Sequence, residues 1–172
     1  EFPSPQGYGT GRGYLARPAS APPPGGPATP TKGLPTVLVV HENRGLNPHI
    51  EDVARRLATE GYVAFAPDAL TPAGGYPGDE DRAREMFAKL DAARRTEDLM
   101  AAVDFVKLRP DFNGKVGAVG FCFGGSVVNQ MAVRFPDLAA AVPYYGAQPA
   151  AADVPKIHAA LLIHYASEDE RI

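Results

Sequence analysis

The chain is expected to fold as one α/β domain, a mostly parallel sheet with helices on both faces. Short apolar runs such as Thr36 to Val40 and Tyr62 to Ala66 alternate with longer stretches of helical period. That alternation is the signature of βαβ units. The apolar runs are continuous, as suits strands buried on both faces. A third run, Val116 to Val119, passes through Gly120-Phe121-Cys122-Phe123-Gly124-Gly125 directly into a helical stretch, Ser126 to Phe135. Strand, sharp turn and helix in that order can lift one side chain clear of a sheet edge.

The 172 residues suit a single core, and 45% hydrophobic with 22% charged residues is the balance of a globular domain. The net charge of −3, with no basic cluster, argues against a nucleic-acid partner. No apolar run approaches the length of a membrane span. One cysteine cannot form an internal disulfide, so it leaves the redox compartment open. The chain starts at Glu1 without Met. Both a cytoplasmic location and a periplasmic one after removal of a signal fit that start.

Residues 1–12 are turn-rich and read as irregular, and Gly13 to Arg17 reads as a short edge strand. Pro18 to Pro35 reads as a loop of polyproline character. The expected organisation is therefore a Pro-rich segment over 1–35, then the α/β domain over 36–172. Thr36 to Val40 is the first buried strand. Ile50, Val53, Ala54, Leu57 and Ala58 predict a helix over Pro48 to Glu60, closed by Gly61. Tyr62 to Ala66 is the next strand and Thr71 to Gly78 a loop. Asp79 to Leu90 is a charged helix with Met86, Phe87 and Leu90 inward. Thr96 to Leu108 is a further helix, capped by Thr96 and stopped by Pro110. After the Val116 strand and its helix, Ala139 to Tyr145 and Ala160 to Tyr165 are the last strands.

In parallel sheets ligands bind beyond the strand C-termini. Those ends lie at His41, Pro67-Asp68, Gly120, Tyr145 and Tyr165, and should converge on one cleft, with Tyr145 a candidate substrate contact. Cys122 occupies the lifted position, with Gly120 and Gly124 giving the room that a strained turn needs. A helix N-terminus favours the thiolate, the reactive form. The backbone N–H of Phe123 faces the same space as a candidate oxyanion donor, and that of Asn43 is the second. The alternative for Cys122 is a buried structural cysteine. A phosphate loop is disfavoured, because neither G-x-G-x-x-G nor G-x-x-x-x-G-K-[ST] occurs there.

A nucleophile needs a base, and the base an orienting acid. Asp169, just after the last strand, is the candidate acid; its alternative is a solvated turn. Glu42 is placed to hydrogen-bond the resting thiol, or else to pair with Arg44 or another cation. Of the four histidines, His158 and His164 precede the acid, with His164 expected to point into the core or a helix layer. His49 starts a helix. His41 alone ends a strand near the cleft. The base is therefore expected beyond Ile172. The motifs call for no metal and no cofactor.

The stretches HENRGLNPHIEDVARRLA (41–58), GYVAFAPDAL (61–70), GGYPGDED (74–81), NGKVGAVGFCFGG (113–125) and LLIHYASEDERI (161–172) resemble the dienelactone hydrolases (carboxymethylenebutenolidases). These belong to the α/β-hydrolase superfamily. The resemblance implies a three-layer α/β-hydrolase fold, C-terminally truncated because the family's histidine would lie past Ile172. A second substrate arginine near that histidine would be absent with it. It implies an esterase that opens cyclic enol-lactones, with Cys122 as nucleophile and Asp169 as triad acid. Glu42 would hold the thiol until a substrate anion enters, and Asn43 and Phe123 would supply oxyanion N–H groups. Arg84, then Arg82, match the position of a carboxylate-binding arginine, their alternative being a solvated helix face. The expected partner is a small ester or lactone, and the assembly a monomer or small homo-oligomer. Two readings compete: a broad carboxylesterase or thioesterase, and a non-catalytic α/β domain that retains the elbow without a working triad.

Overall fold

The structure, a computed structural model, describes residues 1–19 and 33–170. Its elements are β1 (Phe2–Ser4), β2 (Gly9–Ala16), β3 (Leu34–Val40), α1 (Pro48–Thr59), β4 (Val63–Asp68), α2 (Glu80–Lys89), α3 (Ala92–Lys107), β5 (Phe112–Phe121), α4 (Phe123–Arg134), β6 (Ala140–Tyr144) and β7 (Ala160–Leu161). Short 3₁₀ turns occupy Thr71–Ala73 and Ala151–Lys156. The strands form one sheet in the order β1-β2-β4-β3-β5-β6-β7. From β4 to β7 every pairing is parallel, and β1 and β2 add antiparallel.

The continuous apolar strands are buried on both faces. Along β3, Leu38 and Val40 join the larger core, with Phe65, Leu99, Val103, Val127, Val128 and Met131. Val39 points the other way, into a smaller core with Ile50, Ala54, Ala58, Ala64 and Ala66. The alternation follows from the two-residue period of a strand. So α3 and α4 pack on one face and α1 on the other. Burying one such Leu, Ile or Val is worth roughly 1.5–3 kcal/mol, which is why these runs specify the layers.

Helix starts follow their caps. Asn47 Oδ1 accepts from the Ile50 N–H at 3.1 Å to open α1, and Asp79 Oδ1 accepts from Arg82 N–H at 2.8 Å to open α2. Three expectations are corrected. Residues 1–12 are not irregular, because Phe2–Ser4 and Gly9–Ala16 are strands. The strand expected at the edge lies one position in, between β1 and β4. Phe2 drives this: its ring packs at 5.7 Å from that of Phe65 and 5.3 Å from that of Phe105. The third helix starts at Ala92 with Asp91 as its cap, whereas Thr96 sits inside it and donates to the Ala92 carbonyl. Most of the polyproline loop falls in residues 20–32, outside the described residues.

Candidate active site

At the carboxyl end of the sheet a cleft of about 530 Å³ is lined by Glu42, Asn43, Arg44, Arg84, Cys122, Tyr145 and Asp169. Seven residues from five separate stretches of chain meet there because β3, β5 and β6 run parallel and end together.

Cys122 stands between β5 and α4 at φ 53° and ψ −115°. A non-glycine residue in that region is strained by about 1–3 kcal/mol and persists only where its surroundings over-determine it. Here they do. The Cys122 N–H donates to the Tyr144 carbonyl at 3.0 Å, and its own carbonyl accepts from the Ser126 N–H at 3.1 Å. The flanking glycines give room for backbone. A Cβ on Gly124 would lie 2.2 Å from the Val40 carbonyl oxygen, and one on Gly120 would lie 2.2 Å from that of Gly124. The side chain is thereby turned into the cleft, half-buried and free of any disulfide.

Phe123 is the first residue of α4, so its N–H has no partner four residues back within the helix. Its ring packs edge-on against Phe87 at 4.9 Å and under the Arg95 guanidinium at 5.2 Å. Asn43 lines the cleft, whereas Phe123 is not among its lining residues. The loop that carries Asn43 is tied down: Arg44 pairs with Glu80 at 2.5 Å, and Asn47 Nδ2 donates to the same carboxylate at 3.1 Å.

Glu42 does not pair with Arg44. Its Oε1 accepts a 2.7 Å hydrogen bond from the Tyr145 hydroxyl. Tyr145 is itself strained, at φ 39°. Burial, then the hydrogen bond and charge of Glu42, then the charge of Cys122, push its hydroxyl well above the usual phenol range. It therefore stays a donor at neutral pH.

Arg84 reaches the cleft, also contacting Asp81 at 3.3 Å, while Arg82 is exposed on α2 and is not among the lining residues. Asp169 lines the cleft as expected. No histidine does. His41 lies wholly buried behind it. Its Nε2 accepts from the Ala69 N–H at 3.0 Å, so Nδ1 carries the proton and donates to the Glu42 carbonyl. Both nitrogens being engaged, it cannot serve as base. Burial lowers its pKa against the opposing pull of Asp68 and Glu42. His164 is not in the core: it is exposed and stacks on Tyr144 at 4.3 Å. His49 lies 6.4 Å from the Phe121 ring.

Sequence reasoning missed one cleft residue, Arg44, and one brace outside the lining, Ser126. Arg44 was read only as a partner for Glu42; its place in HENRG, four residues past the end of β3, was the available signal. Ser126, whose Oγ accepts from the Ala147 N–H at 2.7 Å and ties α4 to the end of β6, gave none.

The family model described as the dienelactone hydrolase family matches residues 24–172. The chain belongs to the dienelactone hydrolase family. Among curated relatives, it is 52% identical over 90 residues to a provisionally named hydrolase fragment, YghX, of Escherichia coli (strain K12), covering 52% of this chain and 69% of that one. It is 39% identical over 127 residues to a provisionally named carboxymethylenebutenolidase of Aquifex aeolicus (strain VF5), covering 69% of this chain and 54% of that one. Among solved structures, a provisionally named dienelactone hydrolase from Klebsiella pneumoniae superimposes with a TM-score of 0.68 at 28% identity. That match covers 95% of this chain and 70% of its counterpart. Matches to curated relatives of the family thus span between about half and two-thirds of the relatives' own length. The fold is that of the α/β hydrolases.

Proposed function

We propose that the chain carries the thiol half of a carboxylic-ester hydrolase that opens lactones of the dienelactone kind. The observation that carries this reading is Cys122, the sole cysteine, held at φ 53° on a strand-to-helix elbow and facing a cleft. The Cys122 sulfur attacks the acyl carbon, and the N–H groups of Phe123 and Asn43 stabilise the oxyanion that forms. The carbon–oxygen bond to the leaving group breaks, leaving a thioester. Water then attacks that thioester, releasing the acid and restoring the thiol. Arg84 attracts a substrate carboxylate, and Asp169 orients the base. No histidine lines the cleft, so the base in this reading belongs to the additional length that relatives possess.

Acylation can be tested without the base. Mixing the protein with excess 4-nitrophenyl acetate should release about one equivalent of nitrophenolate and leave one acetyl group on the peptide containing Cys122. Cys122→Ala should abolish both. An acetyl group on another residue, or an undiminished burst in the variant, would remove Cys122 as nucleophile.

A further inference from the structure

Two guanidinium groups line the cleft, Arg44 and Arg84, and they are held differently. The Arg84 side chain is 55% exposed, and its partner Asp81, one turn back on α2 at 3.3 Å, is exposed as well. Such a surface pair holds its members weakly. Arg44 is 35% exposed and fixed from several sides. Its Nη1 donates to Glu80 Oε2 at 2.5 Å, and the other oxygen of that carboxylate accepts from Asn47 Nδ2 at 3.1 Å. The backbone after it is clamped too. Gly45 has φ 72°, and a Cβ there would lie 2.4 Å from Leu70 Cδ1, while the Leu46 N–H donates to Asp68 Oδ1 at 3.3 Å.

Glu80 takes only Nη1 of Arg44. Nε and Nη2 together form the planar fork that matches a carboxylate, and neither meets a hydrogen-bond partner among the described residues. Glu80 is not part of the cleft wall, so the counter-charge of Arg44 stands outside the lining. A short chain of neighbours leads from this guanidinium to the sulfur. The Glu80 hydrogen bond first, then, against some desolvation, the charges of Glu80, Asp81 and Glu42 raise the Arg44 pKa. Glu42 in turn accepts from the Tyr145 hydroxyl, which feels the charge of Cys122. We propose that Arg44 is a specificity-determining residue that binds a carboxylate carried by the substrate, its Nε and Nη2 each donating to one carboxylate oxygen. Arg84, more exposed and less firmly held, adds general attraction. The substrate class is then an ester or lactone that bears its own carboxylate close to the acyl carbon. The inference rests on reading Cys122 as the nucleophile of an ester hydrolase, but its test requires no ester turnover.

The test compares Cys122 alkylation by iodoacetate and by iodoacetamide, which share a leaving group and differ in charge. At one pH the ratio of the two rates cancels the thiolate fraction and reads the pull of the cleft on a carboxylate. Arg44→Gln should lower the ratio about three- to tenfold at low ionic strength, and salt at about 0.5 M should shrink that difference. Arg84→Gln should lower it by less than about twofold. Arg44→Lys keeps the charge and loses the fork, so its ratio should fall between those of the parent and Arg44→Gln. An unchanged ratio in Arg44→Gln, an equal or larger fall in Arg84→Gln, or no recovery in Arg44→Lys overturns the proposal. Should Arg44→Gln not fold, Arg44→Lys and Arg84→Gln decide: a parental ratio in the lysine variant, or a larger fall in Arg84→Gln than in it, overturns the proposal equally. 4-Nitrophenyl acetate is a neutral ester. Failure of its acetyl transfer alongside the expected ratios would count against the hydrolase reading and not against the carboxylate site, and normal acetyl transfer with unchanged ratios would do the reverse.

Discussion

Gly124→Ala should unseat the elbow. The added methyl would lie 2.2 Å from the Val40 carbonyl oxygen and 2.6 Å from that of His41, where ordinary contact begins at 3.4 Å. Neither atom can yield cheaply. Val40 ends β3, which is paired on one side to β4 and on the other to β5, and the His41 ring is pinned at both nitrogens. Overpacking against side chains costs about 1–3 kcal/mol. Against sheet backbone the cost should reach or exceed the top of that range, about 3 kcal/mol. For a domain of this size that lowers Tm by roughly 6–12 °C. Gly61→Ala is the control, because Gly61 has φ 95° but nothing within 4 Å of the added carbon. It should cost only the left-handed conformation, about 1–2 kcal/mol, and leave Cys122 alkylation unchanged. Thermal melts and alkylation rates of both variants check this. A Gly124→Ala melt no lower than that of Gly61→Ala, with normal thiol reactivity, would refute the close-packing account of the elbow.

Two further outcomes are expected. Burial holds the His41 pKa below its ordinary 6.5, so as pH falls below that value the unfolded chain takes up a proton that the native ring resists. Stability should therefore drop with falling pH by up to about 1.4 kcal/mol per unit from this group, and urea midpoints should show a flatter acid limb in His41→Gln than in the parent. Arg95 lies 4.0 Å over the Phe87 ring and 5.2 Å from that of Phe123, and donates to the Phe87 carbonyl at 2.8 Å; Arg95→Ala should cost about 2–3 kcal/mol, read as a Tm lower by roughly 4–12 °C.

The parallel core and the elbow were legible because each depends on local pattern. Continuous Val and Leu runs announce strands buried on two faces, and Gly120 and Gly124 around Cys122 announce a turn that only small neighbours permit. Of the N-terminal strands only the Gly13–Ala16 end of β2 was legible; before it, Pro3, Pro5 and glycines at 7, 9 and 11 break the local signal. They form because Gly11 and Gly13 leave space: a Cβ on Gly11 would strike the Phe2 ring at 2.2 Å, and one on Gly13 the Ala66 carbonyl at 2.6 Å. Tertiary contact overrides propensity there. His41 misleads for a similar reason. Its position at a strand end suggests a cleft residue, but α2 covers it with Phe87 at 6.3 Å, and the Ala69 N–H claims the nitrogen that a base would need. In the cleft, Arg44 and the bond between Tyr145 and Glu42 depend on how α2 and the end of β6 fold over β3, which no local pattern encodes.

The two strained residues behave as one unit. The Cys122 N–H bonds the carbonyl just before Tyr145, the Ala147 N–H just after it bonds Ser126 Oγ, and Gly125 and Gly146 touch backbone to backbone. The turn that presents the sulfur and the turn that presents the tyrosine hydroxyl therefore brace each other, and neither can relax without breaking the other's hydrogen bonds. Such mutual support explains how a chain can hold two non-glycine residues at positive φ within one cleft. It also means that a change on the β6 side, far along the sequence from the elbow, should reach the sulfur through these bonds before it reaches the hydrophobic core.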